Sequence, residues 1–265
     1  MAGTHEFSLA ELVICAAAEA WRDAGEVLAT GIGPLPRVAA GLAKLTFAPG
    51  LLMTDGEAYL VEEPVPLGPR GPDAPRPSGW MPYGRVFDTL WSGKRHAMVT
   101  PVQVDRWAQA NIAALGDLKK PKVQLLGVRG FPGNSISHKN SMFLPAHTKR
   151  AFVEGEVDVV ASVGFSEKRW PKSVKPLPVD IGIVVTNLCV MDFNGPDHAA
   201  RVISLHPGVT FEETQEQTGF PLLRAERVKT TPHPTAEQLA IIRKLDPGGV
   251  RSSVIKGDPP GLRAA

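Results

Sequence analysis

Between Glu26 and Glu57 the chain alternates short apolar runs with a glycine break and an amphipathic stretch, EVLATGIGPLPRVAAGLAKLTFAPGLLMTDGE. Val27 to Ala29 is apolar and breaks at Gly31-Ile32-Gly33-Pro34. Apolar and small residues then alternate from Val38 to Leu45, and Pro49-Gly50 leads into Leu51 to Met53, which ends in Thr54-Asp55-Gly56-Glu57. The pattern predicts strand, glycine turn, helix, strand. In a βαβ unit the two strands run parallel and their carboxyl ends open on one edge of the sheet. Gly31, Gly33 and the residues Thr54, Asp55 and Glu57 are therefore expected to face one crevice, where open α/β sheets bind ligands.

The rest of the pattern extends this picture. Ser8-Leu9-Ala10-Glu11 reads as a capping box that opens an alanine-rich helix stopping near Gly25. His96 to Val104, Val123 to Val128, Val157 to Val163, Ile181 to Thr186, Leu188 to Phe193 and Arg201 to Leu205 are short, apolar and rich in β-branched residues, which predicts buried strands. Thr210 and Thr235 each cap a helix, the second ending at Asp246-Pro247. The expected architecture is α/β, an open and mostly parallel sheet flanked by helices, in one domain over residues 1–250 with a loose polar tail at 251–265. Pro64 to Gly79 is too rich in proline and glycine for regular structure. Because Trp80-Met81-Pro82-Tyr83-Gly84-Arg85 follows at once, it reads as a long ordered loop leading back to the site, a plain surface excursion being the alternative.

Composition narrows the function classes. With 265 residues, 43% apolar and 21% charged, the chain is an ordinary globular protein. A net charge of +2 and 6% aromatic residues make no case for nucleic acid. Cys15 and Cys189 have no metal-ligand spacing and read as buried thiols in a reducing cytoplasm. No run reaches membrane-spanning length, so a cytoplasmic location without membrane contact is expected. His138, His147, His198 and His206 read as structural hydrogen-bonders. Val128-Arg129-Gly130-Phe131-Pro132-Gly133-Asn134 places an arginine directly after a predicted strand, in a glycine and proline turn. Exposed backbone N–H groups with the Arg129 guanidinium suit an oxyanion or carboxylate, with Asn134 as a polar positioner. The alternative is that the glycines only make the turn. No P-loop, GxSxG elbow or Cys/His pair is present, and no metal site is expected.

These motifs carry a resemblance. The order GIGPLPRVAAGLAKLTFAPGLLMTDG, QVD with an asparagine a few residues on, VVTNLCVMDF, SLHPGVTFEETQEQTGF and a helix closing in LDP is similar to the β subunits of the family I CoA-transferases, over nearly the whole chain. More specifically, TDGEA, GWMPYGRVFDTL, GVRGFPGN and NGPDHAARV resemble the branch of that family that forms the β subunits of actinobacterial cholesterol ring-cleaving hydrolases. The resemblance implies a CoA-transferase-like fold and an α-subunit partner in an α2β2 assembly. It also implies an acyl-CoA substrate, in which coenzyme A is part of the substrate and no further cofactor is needed. The implied reaction is hydrolytic, retro-Claisen opening of a carbocyclic ring in steroid breakdown, with the essential base, a glutamate, on the α subunit.

One departure matters. Transferases carry a nucleophilic glutamate in an E-x-G motif at the end of the second strand, and aligning its glycine with Gly56 puts Thr54 at that position. A threonine without an adjacent base is a poor nucleophile and forms no acyl anhydride. Asp55 and Glu57 flank the position but point to other sides of a strand or tight turn. The β side of the site is then expected to consist of Thr54, Asp55 and Glu57 along the crevice and Arg129 as charge stabiliser. Asn134 would position, Gly31 and Gly33 would shape the turn, and Trp80 with Tyr83 would form a wall for apolar rings. A CoA-transferase using Asp55, and a catalytically silent subunit supporting an active α partner, stand as alternatives.

Overall fold

The computed structural model describes residues 6–56, 58–71 and 76–263. The chain, read from its sequence as one domain over residues 1–250, divides into two compact units, Met1–Val99 with Pro232–Ala265, and Thr100–Thr231.

The first unit opens with helix α1 (Leu9–Ala18), where the expected capping box is formed: the Ser8 hydroxyl accepts from Glu11 N and the Glu11 carboxylate from Ser8 N. All of α1 is buried, which its small alanines permit on every side. There follow β1 (Leu28–Gly31), α2 (Pro34–Leu45), β2 (Met53–Asp55), β3 (Tyr59–Val61), β4 (Gly79–Trp80), α3 (Tyr83–Trp91) and β5 (Arg95–Val99). The expected strand–turn–helix–strand is present, with a brief parallel contact. Leu28 bridges Leu52, and Ala29 N donates to Leu52 O and Leu52 N to Val27 O, both at 2.9 Å. The long parallel partner of β1 is β5, in register from Leu28↔Arg95 to Gly31↔Met98. After Leu52 the chain leaves β1 for an antiparallel meander, β2–β3–β4. Gly56, at φ +64°, turns it back and gives β2 a partner of its own. Trp80 to Arg85, read as a loop cluster, is the edge of β4 followed by α3.

The turn between β1 and α2 depends on its two glycines. Gly33 caps α2 at φ 108° and ψ 166°, a region essentially closed to residues with a Cβ. A Cβ on Gly31 would lie 2.2 Å from the carbonyl carbon and oxygen of Pro36. Pro34 and Pro36 fall in the first turn of α2, where a missing N–H has no intrahelical partner to lose.

The second unit contains β6 (Gln103–Val104), β7 (Ala110–Asn111), β8 (Ala114–Leu115), β9 (Val123–Gln124), α4 (Phe131–Ser137), β10 (Lys139–Leu144), β11 (Ile181–Thr186), β12 (Cys189–Asp192), β13 (Arg201–Leu205), α5 (Phe211–Glu216) and β14 (Leu223–Thr230). Strands β10 to β14 lie in that order, parallel in β10–β11 and β13–β14 and antiparallel in β11–β12 and β12–β13. Thr210 caps α5 by accepting from Glu213 N. Three predicted strands differ. His96 to Val104 is divided between β5, which ends at Val99, and β6. Val123 to Val128 yields only the exposed pair Val123–Gln124, and Val157 to Val163 is irregular although Val157, Val159 and Ala161 are buried. Ala110 O receives the N–H groups of Ala161 and Ser162, and the Gln103 side chain receives that of Asp158. Three backbone N–H groups of the Val157 to Val163 run are thus satisfied without a ladder.

Returning to the first unit, Thr235 caps α6 (Ala236–Leu245), and α7 (Arg251–Val254) follows. Residues 251–263, expected to be a loose tail, are tied down. Ile255 is buried, Leu9 N donates to Pro259 O and Gly261 N to Phe7 O, each at 2.8 Å. Buried Glu11 accepts from Arg243 Nε at 2.9 Å and Arg251 Nη2 at 3.1 Å, and Arg251 Nη1 reaches Asp246 at 3.0 Å. These pairs lock the last two helices onto the first. With parallel pairing in β1–β5, β10–β11 and β13–β14 and helices between strands, the architecture is the expected α/β class.

Gly31→Ala forces Pro36 to move and lowers stability by about 2–3 kcal/mol. Gly84→Ala, in α3 with open space around it, leaves stability unchanged or raises it by up to ~1 kcal/mol. Urea denaturation of the two variants measures the contrast.

Candidate active site

The meander decides which expected residues share a face. Asp55 pairs with Tyr59 and Tyr59 with Trp80, so these three project to one side. Thr54 pairs with Leu60 and Leu60 with Gly79, which puts Thr54 on the other side. Tyr59 and Trp80 are 52% and 64% exposed. Tyr83 starts α3 and is 69% exposed. Its ring meets Phe87 edge-on at 5.4 Å, and Phe87 meets Trp91 at 5.9 Å. Tyr83 thus opens an exposed aromatic row along α3, of which Phe87 and Trp91 were legible in the sequence as the i+4 and i+8 positions of a helix, while Trp80 pairs with Tyr59 on the meander.

Asp55 is held by two arginines that sequence reading missed. Arg70 forms a bidentate pair with it, Nε to Oδ2 at 3.0 Å and Nη2 to Oδ1 at 2.5 Å, and Arg37 from the first turn of α2 donates to Oδ1 at 2.9 Å. The hydrogen bond from Arg70, then that from Arg37, holds the Asp55 carboxyl below its usual range against the opposing effect of burial. Through Arg37 the turn that contains Gly31 and Gly33 is joined to the end of β2. The loop after Pro64 does lead back to this strand end through Arg70. Among the described residues the Thr54 hydroxyl has no hydrogen-bonded base. Glu57 lies outside the described residues.

Arg129 and Asn134 belong to the second unit. Arg129 is exposed at φ +50°, a left-handed conformation that a non-glycine residue holds at a cost of order 1–3 kcal/mol. The expected glycine turn opens directly into α4, which begins at Phe131. Asn134 N donates to Gly130 O at 3.0 Å, and its carboxamide lies beside Gly130, within 4 Å of where a Cβ would stand. Asn134, on the first turn of α4, thus lies beside the turn that carries Arg129. Among the described residues Arg129 pairs with no carboxylate.

Several other polar groups of the second unit are hydrogen-bonded within it. His147 is buried between the Thr218 hydroxyl at 2.8 Å and that of Thr186 at 3.1 Å, and stacks on Phe152 at 4.0 Å. Burial pushes its pKa down to about 3. His206 sits between the Thr231 hydroxyl and Thr186 O. Both thiols are buried, and burial pushes Cys15 and Cys189 up to about 12. In the QVD stretch, Asp105 Oδ1 accepts from Trp107 N and Gln109 N, and burial raises its carboxyl to about 6. Asn111 Nδ2 donates to Gln103 Oε1 at 2.7 Å. No cluster of metal-ligating side chains occurs among the described residues, and none of their helices is long and apolar enough to cross a membrane.

No protein-family model matches the chain. It is 45% identical over 249 residues to the cholesterol ring-cleaving hydrolase IpdB subunit of Mycobacterium tuberculosis, covering 93% of this chain and 98% of that one. It is 32% identical over 253 residues to the corresponding subunit of the 3-oxoadipate CoA-transferase of Pseudomonas knackmussii, covering 91% and 94%. The crystal structure of Rhodococcus jostii IpdAB superposes with a TM-score of 0.86 at 38% identity, over 95% of this chain and 99% of that chain.

The buried His147 has a pH signature. Its folded pKa lies below the unfolded value of about 6.5, so the unfolded chain binds a proton that the native one refuses. The stability it confers is complete above pH ~6.5 and is lost towards pH ~3, by on the order of 1.4 kcal/mol per pH unit. His147→Gln is expected to flatten this limb of the stability–pH curve, as read by urea midpoints between pH 7 and 4.

Proposed function

Because the chain belongs to the family of IpdB subunits of the cholesterol ring-cleaving hydrolase, itself related to the corresponding subunits of CoA-transferases, we propose that it is the β half of a CoA-thioester-dependent hydrolase that opens a carbocyclic ring of a steroid-derived acyl-CoA. Its partner is a transferase-like α subunit, in an α2β2 assembly that works in the cytoplasm. Water adds to a ring carbonyl, the adjacent C–C bond breaks, the carbonyl carbon leaves as a carboxylate, and the other carbon takes a proton after passing through an enolate. Such a reaction needs a general base and fixed donors for the oxyanion and the enolate.

One observation carries this reading over transferase chemistry. With Gly56 aligned to the glycine of the E-x-G motif, Thr54 takes the position of the glutamate, and it has no base beside it among the described residues. The neighbouring carboxylate, Asp55, has both oxygens occupied by guanidinium groups. Neither residue suits the formation of an acyl anhydride. The base then comes from the α subunit, as the family resemblance implies, and this chain supplies donors and shape. Arg129, strained and without a carboxylate partner among the described residues, offers a guanidinium and turn N–H groups to developing negative charge, with Asn134 beside it. Trp80 and Tyr83 offer apolar faces to the rings, and Gly31 and Gly33 let the backbone close tightly at the strand end. Coenzyme A enters as part of the substrate, and no separate cofactor is required.

Incubating the assembled complex with its acyl-CoA, treating it with borohydride and analysing peptides that span Leu51 to Leu60 separates the chemistries. The expected result is an unmodified peptide together with solvent oxygen in the ring-opened acid. Reduction at Asp55 or Glu57, with transfer of CoA to an added free acid, would restore the transferase reading. Thr54→Glu, which rebuilds the E-x-G motif, is expected to depress ring cleavage by placing a further carboxylate near the base.

Arg129→Gly tests the role of the turn. Removing the left-handed strain is expected to raise stability by up to about 1 kcal/mol. The loss of the guanidinium lowers kcat/KM by about 10²-fold or more. Full turnover in a correctly assembled Arg129→Gly complex would instead indicate a silent subunit.

A further inference from the structure

The segment after β3 crosses the first unit without regular structure from Glu62 to Gly71. Its inner half is held by packing. Pro64 and Val65 are buried, a Cβ on Gly41 of α2 would stand 3.1 Å from Pro64, and Leu67 N donates to Leu245 O at 2.8 Å. Its outer half, beyond Leu67, is organised by one side chain. Arg70 Nη1 donates to Pro66 O at 3.1 Å and Gly68 O at 3.0 Å, which closes the strap on itself, while Nε and Nη2 grip Asp55. Arg37 reaches both Asp55 and, at 3.5 Å, Val65 O. Asp55 is therefore the anchor of the strap's outer end, one residue from Thr54.

We propose that Asp55 serves ring cleavage indirectly, as a positioning residue whose ionised carboxylate, held by Arg37, fixes Arg70 and with it the 62–71 strap against the strand end that carries Thr54. This rests on the hydrolase reading given above. A bidentate pair orients as well as attracts, so one contact sets both the strap's position and its internal turn. The inner half of the strap is packed independently of it. Loss of the contact is thus a local loosening beside the site and leaves the fold in place.

Asp55→Asn, Arg70→Gln, Arg70→Lys and the Asp55→Asn/Arg70→Gln pair, each assembled with the α subunit, provide the test. Asp55→Asn and Arg70→Gln are each expected to raise KM for the ring-bearing acyl-CoA about tenfold, by more than they lower kcat, and the double variant is no worse than the poorer single one because both remove one contact. Arg70→Lys, which keeps the charge without the fork, recovers part of the loss. Limited proteolysis of the assembled complexes is expected to cut within residues 62–71 faster in all variants than in the unaltered complex. Additive losses overturn the proposal, as does a fall in kcat of about 10³-fold in Asp55→Asn with Arg70→Gln near normal, which would make Asp55 chemically active. Unchanged proteolysis of the strap overturns it as well. If the unaltered complex cleaves no ring, the hydrolase reading fails on its own, and the proteolysis arm still decides whether Asp55 anchors the strap.

Discussion

No side chain fits between the end of β1 and the first turn of α2, and much of the first unit follows from that. With a hydrogen atom at Gly31, the backbone of Pro36 comes to rest where a Cβ would stand, and Gly33 turns the chain through a conformation closed to other residues. The helix therefore starts hard against the strand end, and its first turn delivers Arg37 to the end of β2. Arg37 and Arg70 then hold Asp55, and Arg70 closes the strap on itself. A steric constraint at one glycine is thus converted, through two guanidiniums, into the arrangement of a loop some thirty residues further along the chain.

On the proposed reading, the same strand end is a transferase-type site that keeps its scaffold without the covalent chemistry. With Thr54 at the glutamate's position, as proposed above, the acyl acceptor is absent. The neighbouring aspartate cannot take over, because its charge and lone pairs are committed to arginines and its side chain projects to the opposite face of β2. The α/β framework, the glycine turn and the turn at Arg129 remain. Hydrolysis by way of an enolate asks the protein chiefly for fixed donors and exclusion of competing nucleophiles, which such a scaffold can supply. In the second unit the groups that look reactive on paper, His147, His206 and Cys189, are consumed by the core. Each is buried and hydrogen-bonded to threonine side chains or main chain, and burial holds His147 neutral and Cys189 protonated.

Local rules made much of this legible in the sequence. The capping residues Ser8, Thr210 and Thr235 act where they were expected, because a cap is decided by residues within one turn of one another. The strands at Ile181–Thr186 and Arg201–Leu205 were equally plain, since burial between neighbours selects continuous β-branched runs. Strand β14, with its alternating charges, gave no such signal, because an edge strand is paired by its backbone and not by apolar side chains. The buried run at Val157 to Val163 misled in the opposite sense. Burial alone selects its residues, and whether a buried segment joins a ladder depends on side chains such as Gln103 that are distant in sequence.

By itself, the sequence determined the α/β class, the glycine turn after β1 and, through its longer motifs, the family. Each of these is a property of residue identity over a short span. Only the tertiary structure decided that Asp55 is clamped and no free nucleophile, and that residues 251–263 are locked to α1. Those outcomes rest on pairings between residues fifteen to some two hundred and fifty positions apart, such as Asp55 with Arg70 and Leu9 with Pro259. No local pattern encodes such pairings, because the energy that selects them arises only when the packed elements bring the partners within hydrogen-bonding distance.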